Sequence, residues 1–126
     1  MNKTTFSPSS SPKAVGPYNH GCRMGDLLFT AGQIPLDPNT NTLVDGDIKA
    51  QTQQVLENLQ SLLQSQGLNL SHVLKTTVFM TDLAEFGGMN EVYARYFQTD
   101  HPARSTIQVA ALPMGARVEI EAIAHA

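Results

Sequence analysis

The most regular pattern of apolar and polar positions in the chain lies between Ile48 and Gln66. Apolar residues recur there every three or four positions, with glutamines between them, at Val55, Leu56, Leu59, Leu62 and Leu63. A stripe of this kind is typical of a helix that packs one face against a core. Asp47 precedes the stripe as a helix cap and Gly67 follows it as a stop, so the sequence predicts an amphipathic helix over 48–66.

Two β-rich runs precede this helix, from His20 to Met24 and from Leu27 to Ile34. Gly25 and Asp26 lie between the two runs and have the composition of a tight hairpin turn. The following segment, residues 35–47, is rich in proline, asparagine, aspartate and glycine, which is a loop composition. We therefore expect the chain to open with a β-hairpin and a loop that leads into the helix.

A further strand and a second helix are predicted next. Residues 73–80 are rich in valine, threonine and phenylalanine, which favours a strand. Asp82 and Glu85 resemble a capping box, and apolar residues then recur at helical spacing at Leu83, Phe86, Met89, Tyr93 and Phe97. Gly87 and Gly88 weaken the start of this helix, so that end is either loose or closely packed, and we favour close packing.

Two more strand-like runs end the chain, from Arg104 to Ala111 and from Arg117 to Ala124. Residues 112–115 between them have a turn composition, so we expect the two strands to pair as a hairpin. The predicted order is ββαβαββ. Two helices in such an order cover one face of a single mixed sheet, which predicts an α+β sandwich of two layers in one domain spanning residues 1–126.

The second face of this sheet also needs a cover. In the strand over 73–80 both alternating sets of side chains are largely apolar, because Val73, Lys75, Thr77 and Phe79 oppose Leu74, Thr76, Val78 and Met80. A small chain covers such a face most simply by associating with copies of itself. The sequence therefore predicts an oligomer.

Composition excludes several classes of function. The net charge is −3 with Lys and Arg scattered along the chain, so we expect no nucleic-acid partner. No apolar run is long enough for a membrane span. The lone Cys22 fits a reducing compartment, and with no export signal at the start of the chain we expect a cytoplasmic location. The four histidines lack metal-site spacing, so no metal is expected.

Arg104 and Glu119 are the candidates for chemistry. A guanidinium can hold a small carboxylic acid with two parallel hydrogen bonds, and a nearby carboxylate can carry a proton or orient water. Each residue stands near the start of one of the last two strands, so in the predicted hairpin they would lie close together. The alternative is a cross-strand ion pair on the surface, which spacing by itself favours.

Several longer motifs resemble the YjgF or reactive intermediate deaminase (Rid) family, in its deaminase-type subfamily. The similarity runs along nearly the whole chain, through Gly16-Pro17-Tyr18, Phe29-Thr30-Ala31-Gly32-Gln33-Ile34-Pro35, Lys75-Thr76-Thr77-Val78-Phe79, Pro102-Ala103-Arg104-Ser105, Leu112-Pro113 and Val118-Glu119-Ile120-Glu121-Ala122-Ile123-Ala124. The resemblance implies a chorismate-mutase-like fold, a homotrimer and clefts between neighbouring subunits.

The resemblance also implies roles for individual residues. Arg104 would anchor the substrate's carboxylate and Glu119 would position and activate water, while other contacts would come from Tyr18, from the backbone at Gly32 and Thr106, and from the side chain of Asn90. Two positions depart from many relatives: Thr106 stands in place of a cysteine, and Ala31 in place of a serine. Without a thiol at position 106, the nucleophile must be water. The segment from Phe97 to Pro102 is shorter than in some relatives.

The resemblance implies an enamine and imine deaminase, a 2-iminobutanoate/2-iminopropanoate deaminase, that hydrolyses 2-aminoacrylate-type intermediates to 2-keto acids and ammonia without a cofactor. One alternative is a non-catalytic trimer that binds a small acid and acts on a partner. Another is a ribonuclease or translation inhibitor, which the absence of a basic stripe in the sequence disfavours. The sequence does not specify the substrate's side chain.

Overall fold

The computed structural model describes residues 2–126, so Met1, the first residue of the predicted domain, lies outside the described part. The elements of the described part follow in chain order. They are β1 (Thr4–Phe6), β2 (Gly21–Met24), β3 (Leu27–Thr30), β4 (Leu36–Asp37), β5 (Thr42–Leu43), α1 (Ile48–Gln64), β6 (Val73–Met80), α2 (Phe86–Tyr96), β7 (Ala103–Gln108) and β8 (Val118–His125).

The main sheet is mixed, and both helices cover one of its faces. Within residues 2–126 its strand order is β1-β2-β3-β8-β6-β7, in which β6 and β7 are parallel and the other neighbours antiparallel. The predicted α+β class and the order ββαβαββ are confirmed. The short β1 and the small β4–β5 hairpin are additions that the sequence pattern did not predict.

The predicted hairpin of the last two strands is wrong. β6 lies between β7 and β8 and pairs with both, in parallel with β7 and antiparallel with β8. The α2 helix connects β6 to β7 as a crossover, and a crossover delivers a parallel strand. The segment after β7 then carries the chain past β6, so that β8 enters between β6 and β3.

Helix α1 confirms the local prediction almost residue for residue. The Asp47 side chain accepts a hydrogen bond from the backbone N–H of Ala50 at 3.0 Å, and the helix ends two residues earlier than predicted. Gly67 follows with a positive φ of 75°, a conformation that favours glycine at a helix stop. The predicted stripe is fully buried, and four of its five residues, all but Leu62, belong to one core cluster with Val78 of β6 and Ile120 of β8. These residues form the core that fixes the sheet beneath the helices.

Helix α2 departs from its predicted start. Asp82 caps a short 3₁₀ turn over Leu83–Glu85, accepting from the N–H of Ala84 at 2.9 Å, and α2 begins only at Phe86. Glu85 is not part of a capping box, because its carboxylate pairs with Arg117 at 3.0 Å. Met89, Tyr93 and Phe97 are buried as predicted, whereas Leu83 and Phe86 are exposed.

The predicted close packing of the glycine pair holds for one of its two members. A Cβ added to Gly88 would lie 2.7 Å from the side chain of Ile48, so α2 approaches α1 closely at this point. A Cβ added to Gly87 would meet nothing within 4 Å. The close approach of α1 and α2 therefore requires only Gly88.

The outer face of the sheet carries exposed apolar side chains in the isolated chain. Leu27 and Phe29 of β3 and Ile107 of β7 are each 40–45% exposed. Such side chains are suited to contact with another protein surface. No helix within residues 2–126 is long and apolar enough to span a membrane.

Candidate functional site

Arg104 lies on the edge strand β7 and points to the helix side of the sheet. Its Cα pairs with Thr76 of β6, and its guanidinium carbon lies 4.7 Å from the ring centre of Tyr93 and 5.5 Å from that of Phe86. Thr76 in turn forms a buried hydrogen bond of 2.7 Å with the hydroxyl of Tyr93. Cation–π contacts with two rings hold the guanidinium in place without using its N–H donors.

The guanidinium of Arg104 borders a cavity of about 340 Å³. Its walls are the side chains of Asn90, Tyr93, Ala94, His101, Pro102 and Arg104. Among residues 2–126 the ion pairs involve other arginines and lysines, and none involves Arg104. A partly buried, unpaired guanidinium beside a cavity of this size can bind a small carboxylate. Asn90 and Arg104, both predicted site residues, thus share one cavity.

Thr106 follows two residues after Arg104 and pairs with Val78, so it faces the same side of the sheet. Its hydroxyl oxygen is buried and has no hydrogen-bond partner within residues 2–126. A hydroxyl without access to the cavity cannot attack a substrate. Any contact of position 106 with a ligand would therefore come from its backbone, as the resemblance implies.

Glu119 lies on β8 and points to the outer face, because its neighbours Val118 and Ile120 are fully buried in the core. A Cβ added to Gly32 would lie 2.7–2.9 Å from three atoms of the Glu119 side chain, so the backbone of Gly32 rests directly on that side chain. Paired backbone hydrogen bonds of 2.8 and 3.1 Å between Gln33 and Ile120 keep the two segments together.

The carboxyl group of Glu119 is half-buried and makes no ion pair within the described residues. Burial raises the pKa of Glu119 above its ordinary value, and the charge of Glu121 adds to this effect. A carboxyl group whose pKa is raised toward neutrality is better suited to accept and return a proton.

Tyr18 and Ala31 lie near Gly32 on the Glu119 side. Tyr18 is 43% exposed, and both side chains line a second cavity of about 350 Å³, which Lys3 and Thr30 also border. A narrow crevice joins Tyr18 to Gly32. Tyr18, Ala31, Gly32 and Glu119 therefore form one cluster, which we call the carboxylate half. Arg104, Asn90 and Thr106 belong to the guanidinium half.

The two halves lie on opposite faces of the sheet in one chain. Arg104 pairs with Thr76 on the helix side of β6, whereas Glu119 pairs with Phe79, which faces outward. Across the sheet they are two strand spacings apart, which is about 10 Å, and along the strands they are three residues apart, which is also about 10 Å. The prediction that they lie close together is wrong within one chain, and the alternative of a cross-strand ion pair between them is excluded for the same reason.

Sequence reasoning missed two contributors to the guanidinium half. Tyr93 fits the core stripe of α2, and His101 is one of the four histidines that lack metal-site spacing. Both line the Arg104 cavity because the chain turns sharply between α2 and β7, where Asp100 has a positive φ of 48°. Of the other histidines, His20 is buried with its Nε2 bonded to the carbonyl of Pro12. No group of three metal-binding side chains occurs within residues 2–126.

Comparison with known proteins agrees with this architecture. A family model described as Endoribonuclease L-PSP matches residues 8–126. The mouse protein named 2-iminobutanoate/2-iminopropanoate deaminase is 43% identical over 122 residues, covering 97% of this chain and 90% of the mouse protein. The solved structure of the YjgF gene product from E. coli is 38% identical, with a TM-score of 0.92 over 97% of this chain and 98% of that one.

The chain belongs to the YjgF/Rid family. The solved structure of E. coli TdcF with bound serine is 40% identical to this chain, has a TM-score of 0.92 and aligns over 98% of each chain. Membership confirms the resemblance inferred from the motifs. The structure places the motifs that contain Arg104 and Glu119 at the two halves described above, Arg104 on β7 and Glu119 on β8.

Proposed function

We propose that this chain hydrolyses 2-aminoacrylate-type enamines, through their imine tautomers, to 2-keto acids and ammonia, as a 2-iminobutanoate/2-iminopropanoate deaminase. The observation that carries the proposal is the Arg104 guanidinium, which is held by two aromatic rings, is unpaired among residues 2–126 and borders a cavity. The name of the mouse relative supports the same reaction.

The proposed reaction uses few groups. Arg104 binds the substrate's carboxylate with two N–H donors, which fixes the adjacent imine carbon. The imine nitrogen is protonated, and water bound to Glu119 attacks the carbon while the carboxylate takes its proton. The resulting carbinolamine loses ammonia as the C–N bond breaks and the C=O bond forms. Imine and water are thereby converted to keto acid and ammonia, with no oxidant or cofactor involved.

One chain cannot apply both halves to the same small acid. Arg104 and Glu119 point to opposite faces of the sheet, at a separation larger than a three- or four-carbon acid. The proposal therefore includes a homotrimer in which the guanidinium half of one copy meets the carboxylate half of its neighbour. The exposed apolar side chains of β3 and β7 would be covered by the same association.

Turnover with an Arg104 variant tests the proposal. A serine or threonine dehydratase generates the enamine, and its loss is timed with wild type, Arg104→Ala and Arg104→Lys. We expect wild type to accelerate the loss, and Arg104→Ala to lower kcat/KM about 100-fold, because a charged hydrogen-bonded partner worth about 3 kcal/mol is removed. Arg104→Lys should retain only part of the wild-type kcat/KM, since lysine lacks the planar fork of hydrogen-bond donors.

Arg117→Ala is the matched control, because Arg117 is a surface arginine paired with Glu85. Equal rates for wild type and Arg104→Ala would eliminate the deaminase proposal. If wild type binds a small keto acid yet adds nothing to the spontaneous rate, the small-acid-binding regulatory trimer is correct instead. The proposal also places the chain in the cytoplasm, a reducing compartment in which Cys22 would stay a thiol.

A further inference from the structure

The cavity beside Arg104 is lined by polar residues other than the arginine that would anchor a carboxylate. Its lining residues include Asn90, whose side chain ends in an amide, and His101, whose side chain ends in an imidazole, and neither Asp nor Glu is among them. Tyr93, Ala94 and Pro102 supply an apolar surface between these groups. The cavity thus offers hydrogen-bond donors at separate places along a partly apolar wall.

His101 is held at the mouth of this cavity by the backbone. Asp100 before it has a positive φ of 48°, and the ring of Pro102 after it restricts the φ of Pro102. The His101 side chain is exposed and has no hydrogen bond or ion pair recorded within residues 2–126, so an N–H of its ring is free for a ligand. The imidazole donates an N–H whether it is neutral or protonated.

The orientation of the bound substrate in the cavity follows from the proposed function, on which this inference rests. The carboxylate binds Arg104, and the reacting carbon next to it faces the carboxylate half of a neighbouring copy. The substrate's side chain is then left to extend along the walls of this chain's own cavity. At about 340 Å³ the cavity has room beyond a methyl or ethyl side chain.

We propose that His101, with Asn90, selects imino acids that carry a second carboxylate on a side chain of one or two methylenes. The methylenes would lie along Tyr93, Ala94 and Pro102, and the terminal carboxylate would accept hydrogen bonds from His101 and Asn90. Among the described residues no acidic side chain lines this cavity, so the cavity's own walls carry no charge that repels the second carboxylate.

A comparison of three imines tests this specificity. Amino-acid oxidases generate 2-iminoglutarate from glutamate, the uncharged 2-iminopentanoate from norvaline, and 2-iminobutanoate from 2-aminobutanoate. Each imine partitions between the enzyme and a semicarbazide trap, which gives relative kcat/KM. For wild type we expect 2-iminoglutarate to exceed 2-iminopentanoate by about 10-fold, the size of one hydrogen bond to a charged group.

Three variants complete the test. His101→Ala should reduce that preference to within about 2-fold, and His101→Lys should retain it, because lysine also donates to a carboxylate. His125→Ala, at an exposed histidine at the end of β8, is the control and should match wild type. Circular dichroism checks that each variant is folded.

The possible outcomes separate this inference from the proposed function. If wild type does not accelerate the loss of 2-iminobutanoate, the deaminase function itself fails. If 2-iminobutanoate is hydrolysed but wild type shows no preference for 2-iminoglutarate, or His101→Ala leaves the preference unchanged, the role of His101 is overturned and the deaminase function stands.

Discussion

Gly32→Ala perturbs the carboxylate half without touching the guanidinium half. The added methyl would lie 2.7 Å from the carboxyl carbon of Glu119, 2.8 Å from Oε1 and 2.9 Å from Cγ, whereas ordinary contacts begin at 3.4 Å. The backbone of Gly32 has no positive φ that only glycine could adopt, and Gln33 next to it stays bonded to Ile120. The clash is therefore relieved by moving the Glu119 side chain.

The expected magnitudes follow from that displacement. Rotating a flexible side chain away from its preferred angle costs about 0.5–1.5 kcal/mol, so the free energy of unfolding should fall by roughly 1 kcal/mol. A catalytic group misplaced by about 1 Å can lower the rate up to about 100-fold. We expect kcat to fall by about 10- to 100-fold with KM nearly unchanged, because the proposed carboxylate anchor, Arg104, is not displaced.

The assay is the enamine-loss measurement in a double-mutant cycle with Glu119→Ala. Once the carboxyl group is gone, Gly32→Ala has nothing to displace, so it should have no further effect on kcat. Gly87→Ala is the matched glycine control, since its added methyl would meet nothing within 4 Å. An equal loss from Gly32→Ala with and without Glu119, or no loss at all, would refute the argument.

Two further predictions concern stability. Because the pKa of Glu119 is raised in the folded chain, the folded chain holds this proton more tightly than the unfolded chain does, and stability declines as pH rises from the ordinary value of 4.5 through the raised one. Glu119→Gln should thus stabilise the chain above that interval and be neutral below it, as measured by urea unfolding at neutral and acid pH; a gain that is equal at both pH values would contradict this. Thr76→Val should lower the free energy of unfolding by about 1–3 kcal/mol, because it leaves the hydroxyl of Tyr93 unpaired. Thr76→Ser keeps the hydrogen bond and should lower it less, as measured by the same urea unfolding. Equal losses for the two variants would show that the bond is not the cause.

Local patterns specified the elements well because their causes are local. The leucine stripe of α1 and the Asp47 cap lie within one segment, and β6 has the predicted bounds, Val73–Met80. Strand β1 was missed because its three residues are too few to show an alternation of apolar and polar positions. The strand forms because it pairs with β2, and its own sequence does not indicate that pairing.

The pairing of β7 and β8 could not be predicted from the residues between them. The turn composition around Pro113 fits a hairpin as well as the observed passage across β6, in which Pro113–Gly115 form one 3₁₀ turn. The choice depends on α2, which carries the chain over the sheet and makes β7 parallel to β6. Non-local pairing of this kind decides which side chains share a face.

The same limit applied to the candidate site. The motifs identified Arg104 and Glu119 as residues of interest, but their spacing in sequence gave the wrong distance in one chain. The ring of Tyr93 beneath the guanidinium depends on how α2 packs against β7, and no spacing rule contains that contact. Similarity to known proteins supplied the family, and the geometry supplied the division into two halves.

The division of these groups between the two faces of one sheet has a consequence for genetics. Suppose that one copy supplies the guanidinium and its neighbour supplies the carboxylate. Then two defective alleles, Arg104→Ala and Glu119→Gln, would complement each other when they are expressed in the same cell. Mixed assemblies would contain some boundaries at which an intact arginine meets an intact glutamate, although neither allele encodes a working protein by itself.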